Sequence, residues 1–223
     1  MMHIAASLFG QNTYPSVVTQ AIQITRTIIN KCLILSSEIL QMIKPNFAGF
    51  PEIQTSRLLL KKILLTDAAE IFKLRSDENV MRYIDKEKAA SIKDAEIFVK
   101  RILQSLEAND DITWAIAITE KPETLIVTIG FWRLVKEHYR AEIGYMLNPQ
   151  YWRKGIVQEA LIPVIDWGFT ELKLHSVEAN INPGNAASAG LLERNGFVRE
   201  AYLKEDFFFD GTFRDTAIYS LFK

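Results

Sequence analysis

The residues best suited to chemistry lie in one stretch, Asn148-Pro149-Gln150-Tyr151-Trp152-Arg153-Lys154-Gly155-Ile156-Val157-Gln158-Glu159-Ala160-Leu161. A strand-like run, Ala141 to Leu147, precedes it. An apolar-periodic segment follows as far as Phe169, with Ile156, Val157, Ala160, Leu161, Val164 and Ile165 at helical spacing. The pattern is a strand, a turn with one glycine, then a helix start. The first amides of a helix have no partner within it, and the helix dipole adds partial positive charge there. Gly155 lets the backbone approach a ligand closely, and Arg153 and Lys154 add formal charge. Two readings fit: a site for a phosphate or pyrophosphate, or an ordinary strand-to-helix turn with a solvated Arg-Lys pair. The chain contains neither G-x-x-x-x-G-K-[S/T] nor G-x-G-x-x-G, which argues against a P-loop and a Rossmann fingerprint.

Pro149-x-Tyr151-Trp152-x-Lys154-Gly155-x-x-x-Glu159-Ala160-Leu161 resembles the acetyl-CoA loop of the GNAT N-acetyltransferases, and most of all the branch named for the ribosomal-protein N-terminal acetyltransferases RimJ and RimL. Asn182-Pro183-Gly184-Asn185-Ala186-Ala187-Ser188, followed by Leu192-Glu193-Arg194-Asn195-Gly196-Phe197, resembles the second hallmark of that family. The two occur in the family's order, and the resemblance runs from about Gln54 to the C-terminus. It implies that amides over Arg153, Lys154, Gly155, Ile156, Val157 and Gln158 hold the CoA pyrophosphate. It also implies that the strand Ala141–Leu147 splays from its neighbour Ser176–Ile181. Pantetheine would lie in that gap as a pseudo-strand, beside Met146, Leu147 and Asn180. The chain departs from the family pattern at Trp152, where Gln or Arg is frequent, and at Val157, where Gly or Ala is usual. The Val157 side chain either crowds the pyrophosphate or turns into the core.

Acetyl transfer to an amine makes three demands. The ammonium, with a pKa of about 10, must lose a proton. The developing oxyanion needs donors, and the departing thiolate needs a proton or an electrostatic partner. For the first, the resemblance points to Glu142, directly or through water; a cross-strand ion pair with a nearby Arg is the other reading. Glu205 and Asp206 are reserves, each also readable as a solvated hairpin charge. Asn185 stands where many relatives contact pantetheine with an Asn, and it also suits a helix N-cap. Leu192 occupies the position of the family's frequent Tyr acid and cannot act as one. Ser188, four residues earlier on the same helix side, is the candidate for the thiolate. Arg194 either reaches the 3′-phosphate or lies on a solvated helix face.

The elements that must position these residues can be read along the chain. Residues 1–50 read as an N-terminal extension, with an amphipathic pattern at Ile28, Ile29, Cys32, Leu33, Ile39, Leu40 and Ile43 and a linker from Pro45 to Pro51. Residues 51–223 read as the acetyltransferase domain. Thr55–Leu64 reads as a first strand, and Asp67-x-x-Glu70 as a capping box for a helix ending near Ser76. Asn79–Tyr83 reads as a short helix, and Ser91 starts a longer one. Ile112–Thr119 and Leu125–Arg133 form a hairpin. A helix follows from about Asn185 to Asn195 with Gly196 beyond its end. Val198–Leu203 and Phe213–Phe222 close the sheet as a hairpin around Asp210-Gly211. Pro163, inside the helix after the loop, removes one backbone bond and favours a kink. The expected fold is α/β (α+β), the GNAT acyl-CoA N-acyltransferase fold, with a mostly antiparallel central sheet splayed at the CoA site and flanked by helices.

The 223 residues carry a formal net charge of −1 and are 48% hydrophobic, so no global field favours nucleic acid or an anionic membrane. One cysteine excludes an intrachain disulfide, and the first fifteen residues hold no Lys or Arg, so a cytoplasmic protein is expected. His3, His138, His175 and Cys32 have no metal-ligand spacing, so no metal is expected. The expected cosubstrate is acetyl-CoA and the expected partner an amine, at a protein N-terminus or on a small molecule; a homodimer stays open. Two other classes also stay open: a CoA-binding module without turnover, and an interaction adaptor using the N-terminal helix.

Overall fold

The computed structural model describes residues 20, 22–29 and 42–223. The chain divides into two compact units, Met1–Gln41 and Met42–Lys223. Of the first, residues 22–29 are helical and exposed. Cys32, Leu33, Ile39 and Leu40 of the expected amphipathic pattern lie outside the described residues.

The second unit begins earlier than the sequence suggests. Ile43 and Phe47 are buried in its core. The Ile43 amide donates to the Lys136 carbonyl at 3.1 Å, and the Phe47 amide to Asn109 Oδ1 at 2.7 Å. The Trp114 indole N–H donates to the Pro51 carbonyl at 2.6 Å. Residues 43–51 therefore pack as part of this unit, and no linker separates them from it. Prolines and a glycine in sequence suggest a linker; the apolar side chains between them decide otherwise.

The unit is built on an eight-stranded sheet in the order β1-β2-β3-β4-β5-β6-β8-β7. The strands are β1 (Ile53–Gln54), β2 (Leu58–Lys62), β3 (Ile112–Ile118), β4 (Val127–Val135), β5 (Arg140–Leu147), β6 (Ser176–Ile181), β7 (Val198–Phe209) and β8 (Thr212–Phe222). The helices are α1 (Ala68–Ser76), α2 (Glu78–Met81), α3 (Ile92–Glu107), α4 (Ile156–Thr170) and α5 (Ala186–Arg194). Every neighbouring pair is antiparallel except β5 and β6. Alternation along the strands divides the side chains between two faces. Trp114, Ile116, Ile129, Phe131 and Ile143 share a core with α4 and α5, and Ala115 and Met146 share a second core with α1 and α3.

Local chemistry sets the boundaries. Ser91 caps α3 reciprocally with Asp94. Asp67 does not cap α1 as expected. Its Oδ2 instead accepts the Leu64 amide at 2.8 Å, and Glu70 pairs with Lys73 at 2.6 Å. The β7–β8 hairpin turns on Asp210 and Gly211, both at positive φ, which matches the strand twist. Helix α4 runs through Pro163 without a break in its assignment. Among the described residues, no helix is long and apolar enough to cross a membrane, and no group of three or more His, Cys, Asp or Glu side chains could hold a metal ion.

The expected strand Thr55–Leu64 is shorter, Leu58–Lys62: Thr55-Ser56-Arg57 instead form the turn that joins it to β1, and they close on Glu159 in α4. Glu159 Oε1 accepts from Thr55 Oγ1 at 2.6 Å, Ser56 Oγ at 3.0 Å and the Arg57 amide at 3.0 Å; Oε2 accepts from Arg57 Nε at 2.6 Å. Burial pushes this carboxyl up, but the bonds from Thr55, Arg57 and Ser56 outweigh it and hold it at about 2. An unfolded Glu titrates near 4.3, so the native state gains stability in full above ~4.3 and loses it as pH falls toward about 2. Glu159→Gln is expected to lower stability at pH 7 by about 1–3 kcal/mol, with the gap to the parent narrowing at pH 3. Melting curves at the two pH values check this; a gap of equal size at both would contradict it.

Candidate active site

The sheet opens between β5 and β6. Their parallel ladder pairs Arg140, Ala141 and Glu142 with Ser176, Val177 and Glu178, and ends there. The start is pinned by Tyr139, in a left-handed conformation, whose carbonyl accepts the His175 and Ser176 amides at 2.7 and 3.3 Å. Beyond Glu142, β5 stays with β4 as far as Leu147, while β6 stays with β8 as far as Ile181. The two strands part as the family resemblance implies. A cavity of about 700 Å³ occupies the opening.

Of the residues picked out from sequence, Glu142, Met146, Asn180, Asn185 and Ser188 line this one cavity. Asn180 carries a buried Oδ1 with no hydrogen-bond partner, while its Nδ2 donates to Glu178 at 2.9 Å. A buried acceptor left open costs free energy unless a ligand satisfies it, and an amide N–H of pantetheine has the right chemistry. Asn185 caps α5, its Oδ1 accepting the Ser188 amide at 3.1 Å, and still faces the cavity. Glu142 is ion-paired with Arg133 at 2.8 Å; its side chain is 14% exposed and that of Arg133 71%. Both residues line the cavity, with the carboxylate the more buried of the two. A bulge between Trp132 and Val135, with Arg133 at positive φ, makes this reach. Gly144 is required beside it: a Cβ there would meet Trp132 Cζ2 at 2.1 Å.

The loop lies outside the residues lining the cavity. Gly155 has φ of 71°, in the left-handed region that favours glycine, and opens α4. Ile156 and Val157 are buried in the core, so the β-branched side chain of Val157 does not stand over the helix start. Gln158 and Asn195 exchange side-chain amide bonds at 2.7 and 3.0 Å, tying the start of α4 to the end of α5. The Gln158 side chain is thus a brace. Lys154 Nζ lies 5.3 Å from the centroid of the Tyr151 ring. Arg153 is exposed, as is Arg194 next to Asn195. Trp152 Nε1 donates to the Leu147 carbonyl at 3.0 Å, so that carbonyl anchors the loop.

Leu192 is fully buried, as expected of a core residue in the place of an acid. Asp206 lines the cavity, and Glu205 does not. Between Leu203 and Phe207 the strand bulges, and Glu205, at positive φ, donates its amide to Asp215 at 2.8 Å.

Three contributors escape the sequence reading. Tyr145 lies on β5, and its hydroxyl is 2.6 Å from Ser188 Oγ. Burial pushes its pKa up, against the opposing bond to Ser188. Glu178 sits directly across the ladder from Glu142 and pairs with Arg140. Arg57, held by Glu159, donates from Nη1 to the Lys154 carbonyl at 3.2 Å and adds a third cation to the loop. Alternation along β5 could have placed Tyr145 opposite Glu142 in facing, but no spacing links residues 145 and 188.

Known proteins share this arrangement. Residues 57–198 match the acetyltransferase (GNAT) domain family. The uncharacterized N-acetyltransferase YoaA of Bacillus subtilis is 37% identical over 174 residues, covering 78% of this chain and 98% of that protein. A GNAT acetyltransferase from Bacillus anthracis superposes with a TM-score of 0.69 at 28% identity, over 77% of this chain and 98% of that one. Spermidine N-acetyltransferase from Vibrio cholerae, solved with CoA and spermine, shares the fold at TM-score 0.67 and 24% identity, over 75% of this chain and 96% of that one. With the splayed sheet, the glycine-led helix start and these matches together, the chain belongs to the GNAT family of acetyltransferases.

Proposed function

We propose that this N-acetyltransferase, which moves an acetyl group from acetyl-CoA to an amine, works with Glu142 as the base and the Tyr145–Ser188 pair at the departing thiolate. The observation that carries the reading is the opening between β5 and β6. It brings Glu142, on the α1/α3 face, and Tyr145 and Ser188, on the α5 side, to one cavity. In this reading, pantetheine fills the gap as an extended strand beside Met146 and Leu147, with Asn180 Oδ1 and Asn185 as side-chain partners. The pyrophosphate rests on the amides that open α4, with Arg153, Lys154 and Arg57 around it and Arg194 toward the 3′-phosphate. The loop motifs favour the RimJ/RimL branch, and a protein N-terminus and a small amine are both admissible acceptors.

Two hydroxyls 2.6 Å apart share one proton between them and leave the other free. If Tyr145 donates to Ser188, the Ser188 proton is left to turn toward the sulfur. Tyr145 therefore positions Ser188 in this reading.

Gly155→Asp places a carboxylate against the pyrophosphate, and we expect CoA binding to weaken by well over tenfold, more than ~1.4 kcal/mol. Gly155→Asn, which tolerates the same backbone without the charge, should lose less. Calorimetry on the folded variants checks this, and equal affinity in parent and Asp variant rules out the loop.

Ser188→Ala should lower turnover by roughly 10- to 100-fold, about 1.4–2.7 kcal/mol, with little change in CoA affinity. Tyr145→Phe should lose part of that, and the double variant little more than Ser188→Ala alone, since the two act as a unit. Losses that multiply in the double variant would separate them.

Glu142→Gln should lose most activity at lower pH, where more of the amine begins protonated. A uniform loss across the pH profile would instead assign Glu142 a purely structural ion pair with Arg133.

A further inference from the structure

The cavity wall is not evenly charged. Three of its carboxylates have arginines of their own: Glu142 with Arg133, Glu178 with Arg140, and Asp85 with Arg214. Two further carboxylates, Asp111 and Asp206, line the cavity, and burial pushes the Asp111 carboxyl up. Two arginines on the helical wall have no carboxylate among the described residues. Arg75, in the last turn of α1, lies with its Cζ 4.4 Å from the centroid of the Phe98 ring, and its Nη2 donates to the Glu87 carbonyl at 2.9 Å. Arg101, one turn beyond Phe98 on α3, lines the same cavity. Burial, and after it the Arg101 charge, draws the Arg75 guanidinium below its ordinary range.

Like charges set side by side without a counter-ion repel, and that repulsion disappears when an anion arrives between them. The Arg75 guanidinium is oriented by a ring and a carbonyl, so its planar fork is already fixed for a carboxylate. The same cavity is lined by the base candidate Glu142 and its ladder neighbour Glu178, the groups an ammonium would approach.

We infer that the acceptor is a small zwitterion: an amine that also carries a carboxylate, received by Arg75 and Arg101 while its amine faces Glu142. The inference rests on the acetyl-transfer reading of this cavity and goes further by naming the class of acceptor. It favours amino-acid-like or short acidic-peptide acceptors over purely cationic polyamines.

The test compares three acceptors on the full chain with acetyl-CoA and a free-thiol readout. They are alanyl-glutamate, which carries carboxylates, alanyl-glutaminamide, which has none, and spermidine, which offers only cations. Alanyl-glutamate is expected to lead alanyl-glutaminamide by about tenfold or more in kcat/KM, with spermidine last. Arg75→Gln and Arg101→Gln should each shrink that ratio, and the double variant should bring it close to one. Arg101→Glu should turn the preference toward spermidine. Binding of the same three compounds to CoA-loaded protein, by calorimetry, should follow the same order. That measurement needs no turnover, so a failure of the proposed acid–base roles leaves it readable. The inference is overturned if the amide or spermidine is used or bound as well as alanyl-glutamate, or if the ratio ignores both arginines.

Discussion

The short parallel ladder between β5 and β6 is the constraint on which the site depends. Parallel pairing over Arg140–Glu142 holds the two halves of the sheet together at one end. The Tyr139 carbonyl, taking two amides from the β6 side, reinforces that end. Past it, each strand follows its antiparallel partner, β5 on β4 and β6 on β8, and the gap opens. Backbone groups in such a gap need partners, because unpaired amides and carbonyls away from water are costly. An extended ligand would meet that need, which is why the proposed binding site falls at the weakest seam in the sheet. The opening has a second effect: it lets side chains from both faces of the sheet reach one cavity.

A second set of contacts braces the loop that opens α4. Glu159 gathers Thr55, Ser56 and Arg57 onto the first turn of α4, and Arg57 in turn holds the Lys154 carbonyl. Gln158 and Asn195 lock the start of α4 to the end of α5. Trp152 ties the loop back to the end of β5. The Glu159, Gln158 and Trp152 side chains are thus spent on bracing. Such preorganisation matters because ordering a loop on binding would subtract from affinity.

Much of the site was legible because its signals are local. A glycine between a strand and an apolar helix start, an Asn at a helix N-cap and a Ser three residues on are short-range patterns. The cavity does gather Glu142, Met146, Asn180, Asn185 and Ser188. Most element boundaries from Ser91 onward follow the same logic of caps, alternation and turns, but the strand expected over Val198–Leu203 runs on to Phe209 past a bulge. Local rules misled where distant partners took over. Thr55–Arg57 left the strand for Glu159, 102 to 104 residues away in sequence. Asp67 was drawn to the Leu64 amide rather than capping α1, and Ile43 and Phe47 were drawn into a core that composition cannot place.

The sequence by itself determined most of the elements, the glycine-led helix start and the family, because these rest on spacings of a few residues. Only the tertiary structure decided which side chains share the site. Tyr145 meets Ser188 across 43 residues, and Glu142 faces Glu178 across a parallel crossover. Arg75 and Arg101 come to line the same cavity from two different helices. Such meetings depend on how strands register and helices pack over long loops. No single window of the chain carries that information, since the same local pattern is compatible with many partners until the core closes around one of them.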